Sequence, residues 1–303
     1  MMKYQISSDD TEGIRIDKYL AEYFEDLTRN RIQKLLDEGL VTVEGKPVKA
    51  NYKIKADSRI EVTVPDAVEP DILPEDLNLD IVYEDEDIII VNKPKGMVVH
   101  PAPGHYSGTL VNGLLYHCKG KLSGINGVLR PGIVHRIDMD TTGLLVACKN
   151  DYAHNFIAEQ LKIHSSTRKY QAICYNSIKE KEGVVDAPIG RHPTDRKKMA
   201  INRTNGRNAV THYRVLQNYK NYSHIECQLE TGRTHQIRVH MASINHPLLG
   251  DELYGPKNCP FNLQGQTLHA GVLGFIHPST KKYVEFEAPL PEYFVKLLNI
   301  IAV

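Results

Sequence analysis

The sequence predicts an α+β chain of two unequal parts: a small N-terminal αβ module and a larger unit on a mixed, mainly antiparallel sheet with flanking helices. Three observations carry this. From residue 81 onward, short β-like runs recur while helical periodicity appears only at scattered intervals. That order lacks the strand–helix alternation of a doubly wound parallel sheet. Between the parts, Pro65, Pro70 and Pro74 stand among Asp66, Glu69, Asp71, Glu75 and Asp76. Proline and like charge read as a stiff, acidic linker. The boundaries follow as 1–68, a linker over 69–80, and 81–303.

In the first part, Ile14, Tyr19, Leu20, Tyr23 and Phe24 keep helical spacing, with Asp17 and Lys18 expected to face solvent. Thr28 is the expected N-cap of a second helix over 29–38, which Gly39 should close as C-cap. Val41, Thr42 and Val43 and then residues 60–64 alternate as strands, with Glu44-Gly45-Lys46 as a turn. In the second part, strands are expected at 88–91, 144–148, 170–175, 209–216, 223–230 and 282–288. Helices are expected at 110–116, 155–163, 237–243 and 291–301. No internal repeat is visible.

Composition bounds the function. Hydrophobic residues at 41% and charged residues at 24% are ordinary for a soluble globular chain of 303 residues. Lys+Arg and Asp+Glu both number 37, so any RNA site must be a local patch. No apolar run approaches the roughly 20 residues of a membrane span, and the N-terminus lacks a signal-peptide core. The 5 cysteines are scattered, with no CxxC pair, against both a disulfide framework and a Cys-rich zinc site. His235 and His240 do not share a helix face as an i,i+4 zinc pair would. The expectation is a cytoplasmic, reduced monomer with no membrane association, metal or cofactor.

The most informative stretch runs from Gly132 to Gly143, GIVHRIDMDTTG, directly before the apolar run Leu144-Leu145-Val146-Ala147. It reads as a polar loop held at a strand edge. Taken alone, Asp138, Asp140 and Thr141 could simply cap backbone N–H groups of a turn. However, HRIDMDTTG resembles the HRLDxxTSG signature of the RluA/RluD family of pseudouridine synthases, which implies that Asp138 is catalytic. Residues 168–173, RKYQAI, are similar to that family's K/RxYxAxV strand, which implies that Tyr170 stacks on the target base. Residues 229–240, LETGRTHQIRVH, look like the GRTHQIRVH motif. This implies that Arg238 pairs with Asp138 and that Ile237 makes an apolar base contact. The resemblance also implies that Arg136 fills the helix vacated by a flipped uridine.

Residues 188–193, PIGRHP, begin a basic loop that resembles the family's PIGR element. Arg191, Arg196, Lys197 and Lys198 either clamp an RNA backbone there or decorate a solvated hairpin tip. HPLLGD at 246–251, Leu268-His269-Ala270 and Lys93-Pro94 also match, and read as scaffold without chemistry. The departures are Ile137, Met139 and Thr142. In the N-terminal part, IRIDKYLAEYF, TRNRIQKLLDEGLVTVEGKPVKA and IEVTVP resemble the S4 RNA-binding domain. Arg29, Arg31 and Lys34, with Lys46, Lys49, Lys53 and Lys55, would then meet phosphates.

The resemblance implies an RNA uridine isomerase. The uracil N1–C1′ bond breaks, the base turns, and C5 rejoins C1′. Both bonds involve only substrate atoms, so no cofactor is implied. Asp138 would start the reaction as nucleophile or as base, and the sequence leaves these open. Large-subunit ribosomal RNA is the expected substrate, with tRNA as the alternative. The rival reading is a non-catalytic S4-type RNA-binding or ribosome-assembly factor. Such a factor has no need of Asp138, Tyr170 and Arg238 together. No GxGxxG opens a helix after a strand, against a Rossmann oxidoreductase.

Overall fold

The structure, a computed structural model, describes residues 2–302 except Glu25, Asp26, Thr28, 65–71, Pro103, Asn126, Val128 and Leu129, and except the side chain of Asn30. The Thr28 cap and the first half of the acidic boundary therefore lie outside the described residues. The chain divides into two units, Met1–Pro70 and Asp71–Val303.

The first unit runs β1 (Met2–Ser7), α1 (Ile16–Tyr23), α2 (Arg29–Asp37), β2 (Val41–Val43), β3 (Lys46–Pro47) and β4 (Arg59–Val64). Its antiparallel sheet has the order β1-β4-β2-β3. Ile16 and Leu20 of α1 and Ile32 and Leu35 of α2 bury against Val41, Val43, Ile60 and Val62. Gly39 ends α2 at φ +72°, and the Leu40 N–H closes on the Leu35 carbonyl at 2.9 Å. The sequence reading missed β1, in which only Ile6 is buried, so no alternation marks it. Asp17 corrects another expectation, since it is buried rather than solvent-facing. Arg15, Arg29 and Gln33 all donate to its carboxylate. Burial pushes this carboxyl up, but those three donors outweigh burial and hold it well below the usual range.

The second unit contains strands β5 (Ile81–Glu84), β6 (Ile88–Lys93), β7 (Thr142–Cys148), β8 (Thr167–Tyr175), β9 (Glu182–Asp186), β10 (Ile189–Arg191), β11 (Met199–Ile201), β12 (Val210–Asn218), β13 (Tyr222–Leu229), β14 (Leu268–Ile276) and β15 (Tyr283–Glu287). Its helices are α3 (Leu110–His117), α4 (Asp151–Lys162), α5 (Gln236–Ser243) and α6 (Glu292–Ile301). A 9-stranded sheet runs β5-β6-β7-β14-β8-β13-β12-β9, with β15 added to β14. Its pairs are antiparallel except β7 with β14. The β10–β11 hairpin stands apart. Among the described residues, no helix is long and apolar enough to cross a membrane.

Both faces of the central strands are covered, which explains their unbroken apolar runs. Ile89, Val91, Leu145 and Ala147 face one core, shared with Leu110 and Leu114 of α3 and Ile237 and Met241 of α5. Ile88, Ile90, Leu144 and Val146 face the other, against Ala153 and Ile157 of α4. Tyr170 and Ala172 of β8 belong to the first core, so that face also carries the site.

The sequence reading set 69–80 apart as a linker, but residues 72–80 belong to the second unit. Ile72 and Leu79 pack on its core. The Asn112 amide donates to the Leu73 carbonyl at 2.8 Å, and the Glu75 carboxylate accepts the Gly108 N–H at 3.1 Å. The apolar residues between the acids, with these hydrogen bonds, tie this stretch down.

Candidate active site

The loop before β7 is pinned at several points. His135 Nε2 accepts the Val146 N–H at 3.1 Å. Burial, with Arg168 nearby, pulls its imidazole down to about 3, so it stays a neutral acceptor. The Met139 carbonyl accepts from Lys93 Nζ at 2.8 Å and from the Gly96 N–H at 3.0 Å. Lys93 is fully buried at the end of β6, and its other two N–H bonds go to the carbonyls of Pro94 and Met97. Burial draws the Lys93 ammonium down to about 7, while Asp140 and Asp138 pull it back up. Gln266 donates to Thr141 Oγ1 at 3.1 Å, and the Thr141 N–H closes on the Asp138 carbonyl at 3.1 Å.

That last bond uses the backbone of Asp138, not its side chain. Among the described residues no backbone N–H donates to the Asp138 carboxylate. It is not the cap of a turn. Oδ2 instead accepts from Arg238 Nη1 at 2.9 Å, and His235 Nε2 lies 3.9 Å from Oδ1.

Arg238 sits in the first turn of α5. Its Nε and Nη2 grip both oxygens of Asp251, at 2.7 and 2.9 Å. That bidentate grip fixes the guanidinium plane and leaves Nη1 for Asp138. Burial lowers the Arg238 guanidinium, but Asp251 and Asp138 outweigh this and hold it above its ordinary value. Asp251 is itself buried and accepts the N–H groups of Leu253 and Tyr254. Tyr254 Oη accepts the Met199 N–H and touches His235 Nδ1, both at 2.8 Å. If that hydroxyl donates to Nδ1, the ring proton sits on Nε2, facing Asp138. Gln236 locks the start of α5 to β12 through the Val210 carbonyl and Thr211 Oγ1, both at 3.0 Å.

Asp138 opens on a cleft of about 1000 Å³. Arg136, Tyr170, Ile237 and Arg238 line it, so the structure brings together all five residues expected at the centre. Tyr170 and Ile237 are buried, while Arg136 is exposed at the mouth. Arg130, Arg136, Lys162, Arg168, Arg207, Arg233 and Arg238 line the cleft, and Asp138 is its sole carboxylate among the described residues. This is the local basic patch that a neutral chain requires.

The outlying cations lie elsewhere. Arg191, Arg196, Lys197 and Lys198 belong to the β10–β11 hairpin, outside the cleft lining. Arg29 is engaged by Asp17 at 2.8 Å, so its charge is already balanced within its own unit. Lys34 pairs loosely with Glu38 at 3.7 Å, and Arg31 shares their helix. His240 is buried between Thr211 and Ala187, far from any shared ligand with His235.

Sequence reasoning missed Asp251 and Lys93, both read as scaffold, and it assigned Tyr254 no role. A usable signal existed for Lys93: a lysine closing the apolar strand IIIVN must find buried acceptors. For Asp251 the signal was indirect, since a buried arginine facing one acid needs a second partner.

Residues 87–243 match the family described as RNA pseudouridylate synthase, and residues 14–60 match the S4 domain. The uncharacterized RNA pseudouridine synthase YlyB of Bacillus subtilis is 55% identical over 294 residues, covering 97% of this chain and 96% of its own. The ribosomal large subunit pseudouridine synthase D of Zymomonas mobilis is 48% identical over 301 residues, covering 96% of this chain and 95% of its own. The solved structure of human RNA pseudouridylate synthase domain containing 1 superposes with a TM-score of 0.58 at 25% identity, over 79% of this chain and 97% of that one. The chain belongs to the RNA pseudouridylate synthase family.

Proposed function

We propose that this protein converts specific uridines of large-subunit ribosomal RNA to pseudouridine, with Asp138 starting the reaction. The observation that carries this is the Asp138 carboxylate, held by Arg238 at 2.9 Å and spared from backbone capping, within a basic cleft. The charge-assisted bond to the guanidinium fixes the direction of the carboxylate, which a nucleophile or a base equally needs. The flipped base lies against Tyr170 and Ile237, whose stacking and apolar contact are worth roughly 1–3 kcal/mol. Arg136, exposed at the mouth, occupies the space that the uridine leaves. The uracil C5 proton is lost and N1 gains one, so the net change is an isomerisation.

Relatives named ribosomal large subunit pseudouridine synthase D, at 44–48% identity, support the choice of substrate. On this reading the protein acts in the cytoplasm as a monomer, without metal or cofactor. Its S4 unit and the β10–β11 cations add backbone contacts. Asp138→Asn should cut tritium release from C5-labelled uridine in a ribosomal transcript by on the order of 10³-fold or more, while RNA binding holds. Appreciable turnover by the Asn variant would remove Asp138 from the mechanism. Pseudouridine mapping of total RNA with and without the protein identifies the uridine, and sites confined to tRNA would move the substrate assignment there.

A further inference from the structure

Arg168 stands on β8, two residues before Tyr170, so both side chains leave the same face of the strand. It is 6% exposed, yet it lines the cleft. Its Nη2 donates to the Glu230 carbonyl at 3.1 Å. Among the described residues its Nε, which is buried, has no hydrogen-bond partner. Among the described residues no carboxylate pairs with it, and Arg233 is a like-charged neighbour. Arg238, in the same cleft, pairs with two carboxylates.

Gly232 makes room for this arrangement. A Cβ at Gly232 would lie 2.6 Å from Arg168 Nη1. The glycine of the GRTHQIR stretch is therefore where the backbone yields to a guanidinium.

A buried guanidinium with an unused donor and no counter-charge is expensive to hold. It becomes favourable when an anion arrives from outside, and a planar fork of N–H donors matches phosphate oxygens. Among the described residues the cleft offers no spare carboxylate to serve as that anion. An RNA strand entering it carries one phosphate per nucleotide, and a flipped nucleotide brings its own phosphates to the wall beside its base.

We propose that Arg168 is the receptor for a substrate-strand phosphate adjoining the target uridine. The assignment rests on the uridine-isomerase reading above. Tyr170 takes the base and Arg168, on the same strand face, takes the backbone next to it. The two contacts fix where the sugar lies relative to Asp138. In the free protein Arg168 has one backbone acceptor and, among the described residues, no counter-charge. Removing it should not lower stability as removal of a structural arginine would.

The test uses the full chain, Arg168→Met and Arg168→Lys, with an unmodified in vitro transcript of large-subunit ribosomal RNA as probe. Affinity is measured as a function of salt. Arg168→Met should bind about tenfold more weakly or worse at low salt, the loss expected for a hydrogen-bonded charge. Its slope of log affinity against log salt should shrink by about 0.7–0.9, one phosphate contact. Arg168→Lys should restore the slope but not the full affinity. The melting temperature of the free Met variant should equal or exceed that of the wild type. If Arg168→Met does not fold, Arg168→Gln serves for the same comparison of slopes. An unchanged slope overturns the proposal, whatever the melting temperature. Tritium release by the wild type on the same transcript is the separate check. Its failure would sink the isomerase reading, while the slopes would still report whether Arg168 meets a phosphate.

Discussion

Arg238 lies between two carboxylates, and the two contacts are unequal. Asp251 takes two N–H groups and is fully buried, whereas Asp138 takes one and is part-exposed on the cleft. Asp251 is thus a positioning residue, acting through Arg238. Asp251→Asn keeps an acceptor for Leu253 and Tyr254 but leaves the guanidinium with one charged partner. We expect a stability loss of about 3 kcal/mol, typical of breaking a buried pair. We also expect kcat to fall with KM little changed, because Arg238 should swing towards Asp138 and misdirect it. Chemical unfolding and steady-state kinetics check both. A rise in KM alone, with kcat unchanged, would mean that Asp251 serves RNA binding instead. The sequence made Asp138 and Arg238 legible because each sits in a long motif. Asp251 was illegible because its role is set by a partner 13 residues away across a turn. Asp17 was misread for a similar reason. Helical periodicity places a charge outside by default, and Arg15 together with Arg29 and Gln33 of the next helix makes burial tolerable.

At the scale of elements, the decisive joint is where β7 meets β14 in parallel. Gly143 has φ +107°, and a Cβ there would lie 2.2 Å from the Ala270 carbonyl oxygen. The loop that carries Asp138 ends at this joint, so its position depends on the close approach. Gly143→Ala should force the strands apart, costing about 3 kcal/mol or more from combined backbone strain and overpacking. Turnover should fall with it, because the pins from Lys93 and Gln266 are set for the present position of the loop. Thermal melting and tritium release on the same preparation would check this. A variant as stable and active as wild type would show that the joint can relax. The central strands β6 and β7 were legible because burial on both faces makes them continuous apolar runs. Strands β9 and β11 were not, since β9 buries one residue and β11 none. Their pairing comes from neighbours rather than from their own pattern.

For the whole molecule, charge was legible only as a constraint. Equal totals of 37 acids and 37 bases forbade a global basic surface, and the structure concentrates seven cations around one carboxylate. The same cleft and the sheet beside it hold neutral histidines, which sets the acid limb of stability. Burial, with Arg168, draws His135 down to about 3; burial, with Arg130 and Arg136, draws His100 down to about 4; burial draws His224 down to about 4. In an unfolded chain each would titrate near 6.5. Between about 4 and 6.5 the unfolded state therefore binds protons that the folded state refuses. Stability rises with pH through that window and is lost as pH falls through it. Three such groups give up to about 4 kcal/mol per pH unit at the steepest point, at about 1.4 kcal/mol per proton. The depressed carboxyl of Asp17 acts below this window, since its unfolded value is 3.8. Unfolding free energies measured from pH 7.5 to 4.5 should show the slope. His135→Asn should flatten it by about one proton, because an amide oxygen can still accept from Val146 but cannot titrate. A stability flat between pH 6.5 and 4.5 would mean that these imidazoles protonate within the folded cleft. The neutral-acceptor role of His135 in pinning the Asp138 loop would then fall with it.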